Sequence, residues 1–169
     1  KKEGGETAEM RAMLDRLEEA RAQHGLAEYE SVQEALDTAC ADYAAEAFRQ
    51  LGWHPDADDS MTTADICRTL SIPPAHRRMA HRLLEMLAED GRIARSGPGW
   101  RAASTRSRPL TVAIEELPVR YPRFSKMFEI VDRCGRSLAR GLRGEVEAVD
   151  LLFPGGSLGD LEALYHSSP

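Results

Sequence analysis

The sharpest charged feature of this 169-residue chain is His76–Arg77–Arg78–Met79–Ala80–His81–Arg82. Three guanidinium groups and two imidazoles in so short a run suit an anion: a carboxylate-rich protein surface, acids of the same chain, or a nucleic-acid backbone. The i, i+5 spacing of His76 and His81 does not put both rings on one helical face, as an i, i+4 metal pair would be. The remaining histidines, His24, His54 and His166, are scattered. So are Cys40, Cys67 and Cys134, with no CxxC spacing. An odd, sparse set of cysteines reads as buried, reduced thiols in a cytoplasmic setting. No HExxH, GxSxG or phosphate-loop spacing occurs, so no catalytic residue and no metal ligand is assigned.

The nearest approach to a nucleotide-binding turn is Gly155–Gly156–Ser157–Leu158–Gly159. It follows Pro154 and not a clear strand, and ten residues remain after it. A strand–turn–helix–strand unit does not fit in that length, so no cofactor-binding residue is assigned either. The aromatics Trp53, Trp100, Tyr121, Phe124, Phe128, Phe153 and Tyr165 read mostly as core by spacing. Tyr121 precedes Pro122 and Phe153 precedes Pro154, at element ends. There an aromatic side chain can overhang a neighbouring active site and give it an apolar wall.

These side chains must be carried by helices. Met10, Met13, Leu14, Leu17 and Ala20 recur at helical spacing over 7–23, with Gly25 as the stop. A second helix is expected from Glu28 to Leu51, with Val32, Leu36, Ala39, Tyr43, Ala47, Phe48 and Leu51 inward; its alanines favour helix, and Gly52 and Pro55 end it. Thr62 or Thr63 caps a short helix through Ile66 and Leu70. Ser71–Ile72–Pro73–Pro74 makes a turn, and Met79, Leu83, Leu84, Met86 and Leu87 line the next helix, which ends at Asp90–Gly91. Ile93–Ala94–Arg95 and Trp100–Arg101–Ala102 then read as two short strands around a Gly/Pro turn. Helix, turn, helix and two-stranded wing is a winged-helix pattern. Residues 112–120 read as a short helix or irregular segment. Pro122 starts a long helix through Leu142, with Phe124, Met127, Phe128, Val131, Leu138 and Leu142 inward. Gly135 inside it costs about 1 kcal/mol against alanine, tolerable where another backbone must come close. Ser157 is the expected cap of a last helix through Leu161, Leu164 and Tyr165.

The expected fold is therefore mainly α: a helical domain containing a winged-helix-like unit with a small two-stranded β-hairpin. It divides into acidic helices at 1–52, the winged-helix-like unit at 53–108 and a helical segment at 109–169. With 42% hydrophobic and 30% charged residues the chain is not disordered throughout. No run reaches the roughly 18 apolar residues of a membrane span, and the start lacks the apolar core of a signal peptide. The net charge of −6 conceals a segregation: residues 1–67 hold 16 acids against 6 bases, residues 68–108 hold 9 arginines against 3 acids. An overall pI near 5.4 argues against nucleic acid as the partner of the basic section.

The run Leu142–Arg143–Gly144–Glu145, then Leu151–Leu152–Phe153–Pro154–Gly155–Gly156–Ser157, then Leu164–Tyr165 and Ser168–Pro169, resembles the N-terminal region of C-methyltransferase domains in modular polyketide synthases. The pieces at 51–55, 73–93, 121–124 and 133–145 are similar to the same region in the same order, so the likeness covers roughly residues 47 to 169. It implies a non-catalytic lid or adaptor over a methyltransferase core that follows Pro169 and binds S-adenosylmethionine. That core would act on β-ketoacyl chains held by an acyl carrier protein, with Arg77, Arg78 and Arg82 as candidates for contact with the carrier or a neighbouring domain. In that setting Tyr121, Phe153 and Tyr165 become the substrate-channel candidates. Two alternatives stand beside this reading: a structural adaptor of a loading module next to an acetyltransferase-like domain, and a winged-helix DNA-binding regulator.

Overall fold

A computed structural model describes residues 10–17, 19, 26–56, 58–103, 114–156 and 159. The helix at 10–17 (α1) is followed by α2 at Leu26–Gln50, the longest element. Alanine-rich helices let neighbours approach closely, and α2 serves two cores along its length. Val32, Leu36 and Ala39 pack with Ile114, Leu117, Phe124 and Phe128. Ala44, Ala47, Phe48 and Leu51 pack with Trp53, Ile66, Leu70, Leu84, Leu87, Trp100 and Leu142. At its end Gly52, with φ of +99°, turns the chain back. There the Gly52 N–H donates to the Arg49 carbonyl and the Trp53 N–H to the Phe48 carbonyl, satisfying two carbonyls the helix would leave open.

The second core is built around α3 (Thr63–Thr69) and α4 (Arg77–Glu89). Thr62 caps α3 by accepting from the Asp65 backbone N–H. Helix α4 turns Ala80, Leu84 and Leu87 inward. A three-stranded antiparallel sheet, β1 (Met61–Thr62), β2 (Ile93–Ser96) and β3 (Gly99–Ala102), runs in the order β1-β3-β2. Met61 pairs with Trp100, and Arg95 pairs with Trp100 from the other side.

A 3-10 turn at Ile114–Glu116 leads into α5 (Leu117–Arg120). Another, at Pro122–Phe124, opens α6 (Ser125–Arg136), which is followed by α7 (Leu138–Leu142) and α8 (Ala148–Leu152). His76 Nδ1 reaches the Leu142 carbonyl at 3.1 Å, tying α7 to the entry of α4. Arg133 Nε donates to the Leu151 carbonyl at 2.7 Å, tying α8 to α6.

Four expectations need correction. The sheet has a third strand, because Met61–Thr62 pairs with β3 over only two residues, too few for an alternating pattern to register. The helix from Pro122 does not run unbroken to Leu142: it pauses at Ser137, and α7 restarts so that Ala139 and Leu142 turn into the core shared with α2. Met79 is exposed, since the inward stripe of α4 runs through Ala80, Leu84 and Leu87, one position further on. The apolar residues of α1, Met10, Met13, Leu14 and Leu17, are each more than half exposed, because no described element covers them. Gly25 and the helix expected after Ser157 lie outside the described residues. No helix among the described residues is long and apolar enough to cross a membrane.

Candidate functional site

The arginine run divides once folded. Arg77 and Arg78 open α4, both exposed, and line a shallow concavity of about 450 Å³ with Thr63, Pro74, Ala75 and His81. Arg82 turns away to its own helix, donating to Glu89 at 2.9 Å and Glu85 at 3.5 Å. The Glu89 hydrogen bond, first among the causes, raises the pKa of that guanidinium. Arg82 lines a separate hollow of about 400 Å³ with Asp37, Ala41, Met86, Glu89 and Asp90. Arg82 therefore lines a different hollow from the one lined by Arg77 and Arg78.

The floor of the first concavity is held by a chain of contacts. Trp100 Nε1 donates to Thr63 Oγ1 at 2.9 Å, and the same hydroxyl lies 2.9 Å from His81 Nδ1. The hydroxyl accepts from the indole, so its own proton is available to a neutral His81. His81 Nε2 stands 3.6 Å from Glu85, and Arg95 lies over the Trp100 ring at 4.9 Å. Sequence reasoning missed this cluster, because its members lie on α3, α4, β2 and β3.

Apolar side chains are also left uncovered on α5 and α8. Val119 is 82% exposed, Val149 64% and Leu152 38%, and α8 has no buried residue. Phe153, half-buried, follows α8 and closes it by donating its N–H to the Val149 carbonyl at 2.8 Å. Tyr121 is half-buried against Phe128, ring centroids 6.3 Å apart, with the Arg120 guanidinium 5.4 Å from its own centroid. It lines a depression of about 240 Å³ with Ser31, Glu34, Ala35, Thr38, Leu117 and Arg120, of which Phe153 is not a part. Tyr165 lies outside the described residues.

The thiols offer little nucleophilic chemistry. Burial pushes the pKa of Cys40, Cys67 and Cys134 up, so each is held as the thiol. All three are free. Among the described residues no group of three or more His, Cys, Asp or Glu side chains is placed to hold a metal ion.

No protein-family model matches the chain. The 3-methylorcinaldehyde synthase of Talaromyces stipitatus is 27% identical over 120 residues, 68% of this chain and 4% of that protein. Among solved structures, the CurJ carbon methyltransferase superposes with a TM-score of 0.78 at 26% identity, over 92% of this chain and 42% of that one. The chain resembles the C-methyltransferase domains of polyketide synthases. The DszA carbon methyltransferase (TM-score 0.72, 23% identity) and the citrinin polyketide synthase CMeT domain (TM-score 0.67, 20% identity) share the fold. The chain spans 36% and 40% of these two structures, so in every case it matches less than half of a C-methyltransferase chain.

Proposed function

We propose that this chain is the cover of a polyketide synthase C-methyltransferase, a non-catalytic lid or adaptor that closes over a catalytic core belonging to the same larger protein. The observation that carries this reading is a coincidence of two facts. The fold aligns over 92% of its own length to 42% of a carbon methyltransferase, and Val119, Val149 and Leu152 stand uncovered. Apolar side chains left in water favour burial by another surface. The core is their natural cover.

The described strands support a division of labour. They pair antiparallel in one small sheet. A nucleotide-like methyl donor is usually held where a parallel strand meets a glycine-rich turn and a helix. S-adenosylmethionine is therefore assigned to the adjoining core, as is methyl transfer to the α-carbon of a β-ketoacyl chain on its carrier protein. The lid would exclude water, with Tyr121 and Phe153 nearest the uncovered edge.

Charging that edge is the test. In the methyltransferase-bearing protein, Val149→Asp with Leu152→Asp is expected to lower methyl transfer from S-adenosylmethionine by at least about tenfold, equivalent to about 1.4 kcal/mol of lost closure. Unchanged transfer would remove the lid reading. Calorimetric titration of S-adenosylmethionine into this chain alone is expected to give no binding heat.

A further inference from the structure

Met10, Met13, Leu14 and Leu17 of α1 are 62%, 64%, 55% and 53% exposed. Their i, i+3, i+4, i+7 spacing sets them in one stripe along the helix. No other stripe of four large apolar side chains stands open among the described residues. The sequence around it has a symmetry that a single copy does not use. Glu9–Met10–Arg11–Ala12–Met13–Leu14–Asp15–Arg16–Leu17–Glu18 reads nearly the same in both directions from the midpoint between Met13 and Leu14. Glu9 matches Glu18, Met10 matches Leu17, Arg11 matches Arg16 and Met13 matches Leu14. Only Ala12 and Asp15 break the pattern, and at about 100° of turn per residue they fall on the face opposite the stripe.

We propose that α1 pairs antiparallel with α1 of a second copy of this chain. A two-fold axis through the midpoint sets Met10 against Leu17 of the second copy and Met13 against Leu14 of the second copy, so every apolar layer meets another. The same axis brings like flanks together. On the helix expected over 7–23 from the sequence, Arg11 and Glu18 share one flank, and Glu9 and Arg16 the other. Arg11 then stands roughly 3 Å along the axis from Glu18 of the second copy, and Arg16 the same from Glu9 of the second copy. Both flanks therefore set opposite charges side by side, which favours this pairing. A membrane surface suits the stripe less. Residues 9–19 hold four acids (Glu9, Asp15, Glu18 and Glu19) against two bases, whereas helices that lie on membranes carry cationic polar faces. About two turns on each copy make a small interface, so the dimer is expected to be weak and concentration-dependent. The pairing uses none of Val119, Val149 and Leu152, so the lid over the core stands or falls separately.

Sedimentation equilibrium of the chain from about 5 to about 500 µM is the test. The mass is expected to rise from that of one chain toward that of two. Leu14→Glu with Leu17→Glu should hold it at one chain, with an unchanged melting temperature at low concentration because neither side chain is buried. Arg11→Glu/Arg16→Glu and Glu9→Arg/Glu18→Arg should each weaken association about tenfold or more, and an equimolar mixture of the two should restore it. Met10→Cys mixed with Leu17→Cys should cross-link on mild oxidation beyond either variant alone, the mark of antiparallel order. A parent that stays a single chain throughout overturns the proposal. So does association that survives the two leucine changes, or a charge-reversed mixture that associates no more tightly than its components. A lowered melting temperature of the leucine variant overturns it as well, by showing that the stripe serves the fold. Cross-linking of Met10→Cys alone at a yield equal to the mixture overturns the antiparallel order.

Discussion

The ring of Tyr43 on α2 occupies the space where a Cβ of Gly135 on α6 would stand. The missing side chain lets the two helices close, and the Tyr43 hydroxyl then donates to Asp132, one turn before Gly135. Asp132 also accepts from Arg136 Nε at 2.7 Å, and Arg136 reaches Glu115 at 2.6 Å. One glycine thereby joins α2, α6 and the turn before α5.

Gly135→Ala is expected to destabilise the chain by up to about 2 kcal/mol. The overlap with Tyr43 costs about 1–3 kcal/mol, against about 1 kcal/mol gained in helix propensity. In a Tyr43→Ala background the same change should be neutral or stabilising. Chemical denaturation of the four proteins checks the cycle.

Asp42 and Arg92 form a buried ion pair between α2 and the start of β2, with side chains 7% and 9% exposed. Asp42→Asn should cost about 3 kcal/mol, because it leaves a buried guanidinium with Asp90 alone. Asp42→Leu with Arg92→Met should cost much less than that single change, since no charge remains to be desolvated.

Ser71 follows α3 with φ of +57°, a conformation that favours glycine. Its N–H bonds the Arg68 carbonyl and the Ile72 N–H the Cys67 carbonyl, so the turn is fixed. Ser71→Gly should stabilise by about 0.5–1 kcal/mol, read as a raised denaturation midpoint at unchanged slope.

Alkaline pH should loosen the structure in two stages. Burial, and then the hydrogen bond to Asp132, push the Tyr43 pKa well above its ordinary value. The folded state thus keeps a proton that the unfolded state releases. Stability is present below about pH 10 and falls as pH rises beyond it. The three thiols, raised likewise, begin the decline near pH 9. Thermal melts from pH 8 to 11 should lose only the upper stage in Tyr43→Phe.

Where structure follows from local spacing, the sequence is a sufficient guide. The inward stripe of α2, the Thr62 cap, the stop at Gly91 and the β2–β3 hairpin around Gly97 all lie in such segments. What escaped depends on partners distant in the chain. Strand β1 exists because β3 passes beside Met61. Gly135 was legible as a point of close approach, yet what approaches is the ring of Tyr43 and not a backbone. The pairing of Arg82 with Glu89 joins helix neighbours at a spacing that a charge count does not resolve. Of the channel candidates, Tyr121 and Phe153 are half-buried at element ends.

Hydrogen exchange over residues 114–156 tests the cover most directly, comparing this chain alone with the longer methyltransferase-bearing protein. Slowed exchange around Val119, Val149 and Leu152 in the longer protein, deepened when S-adenosylmethionine is bound, is the predicted result. Equal exchange in the two proteins would contradict it, because an apolar edge still open to water covers nothing.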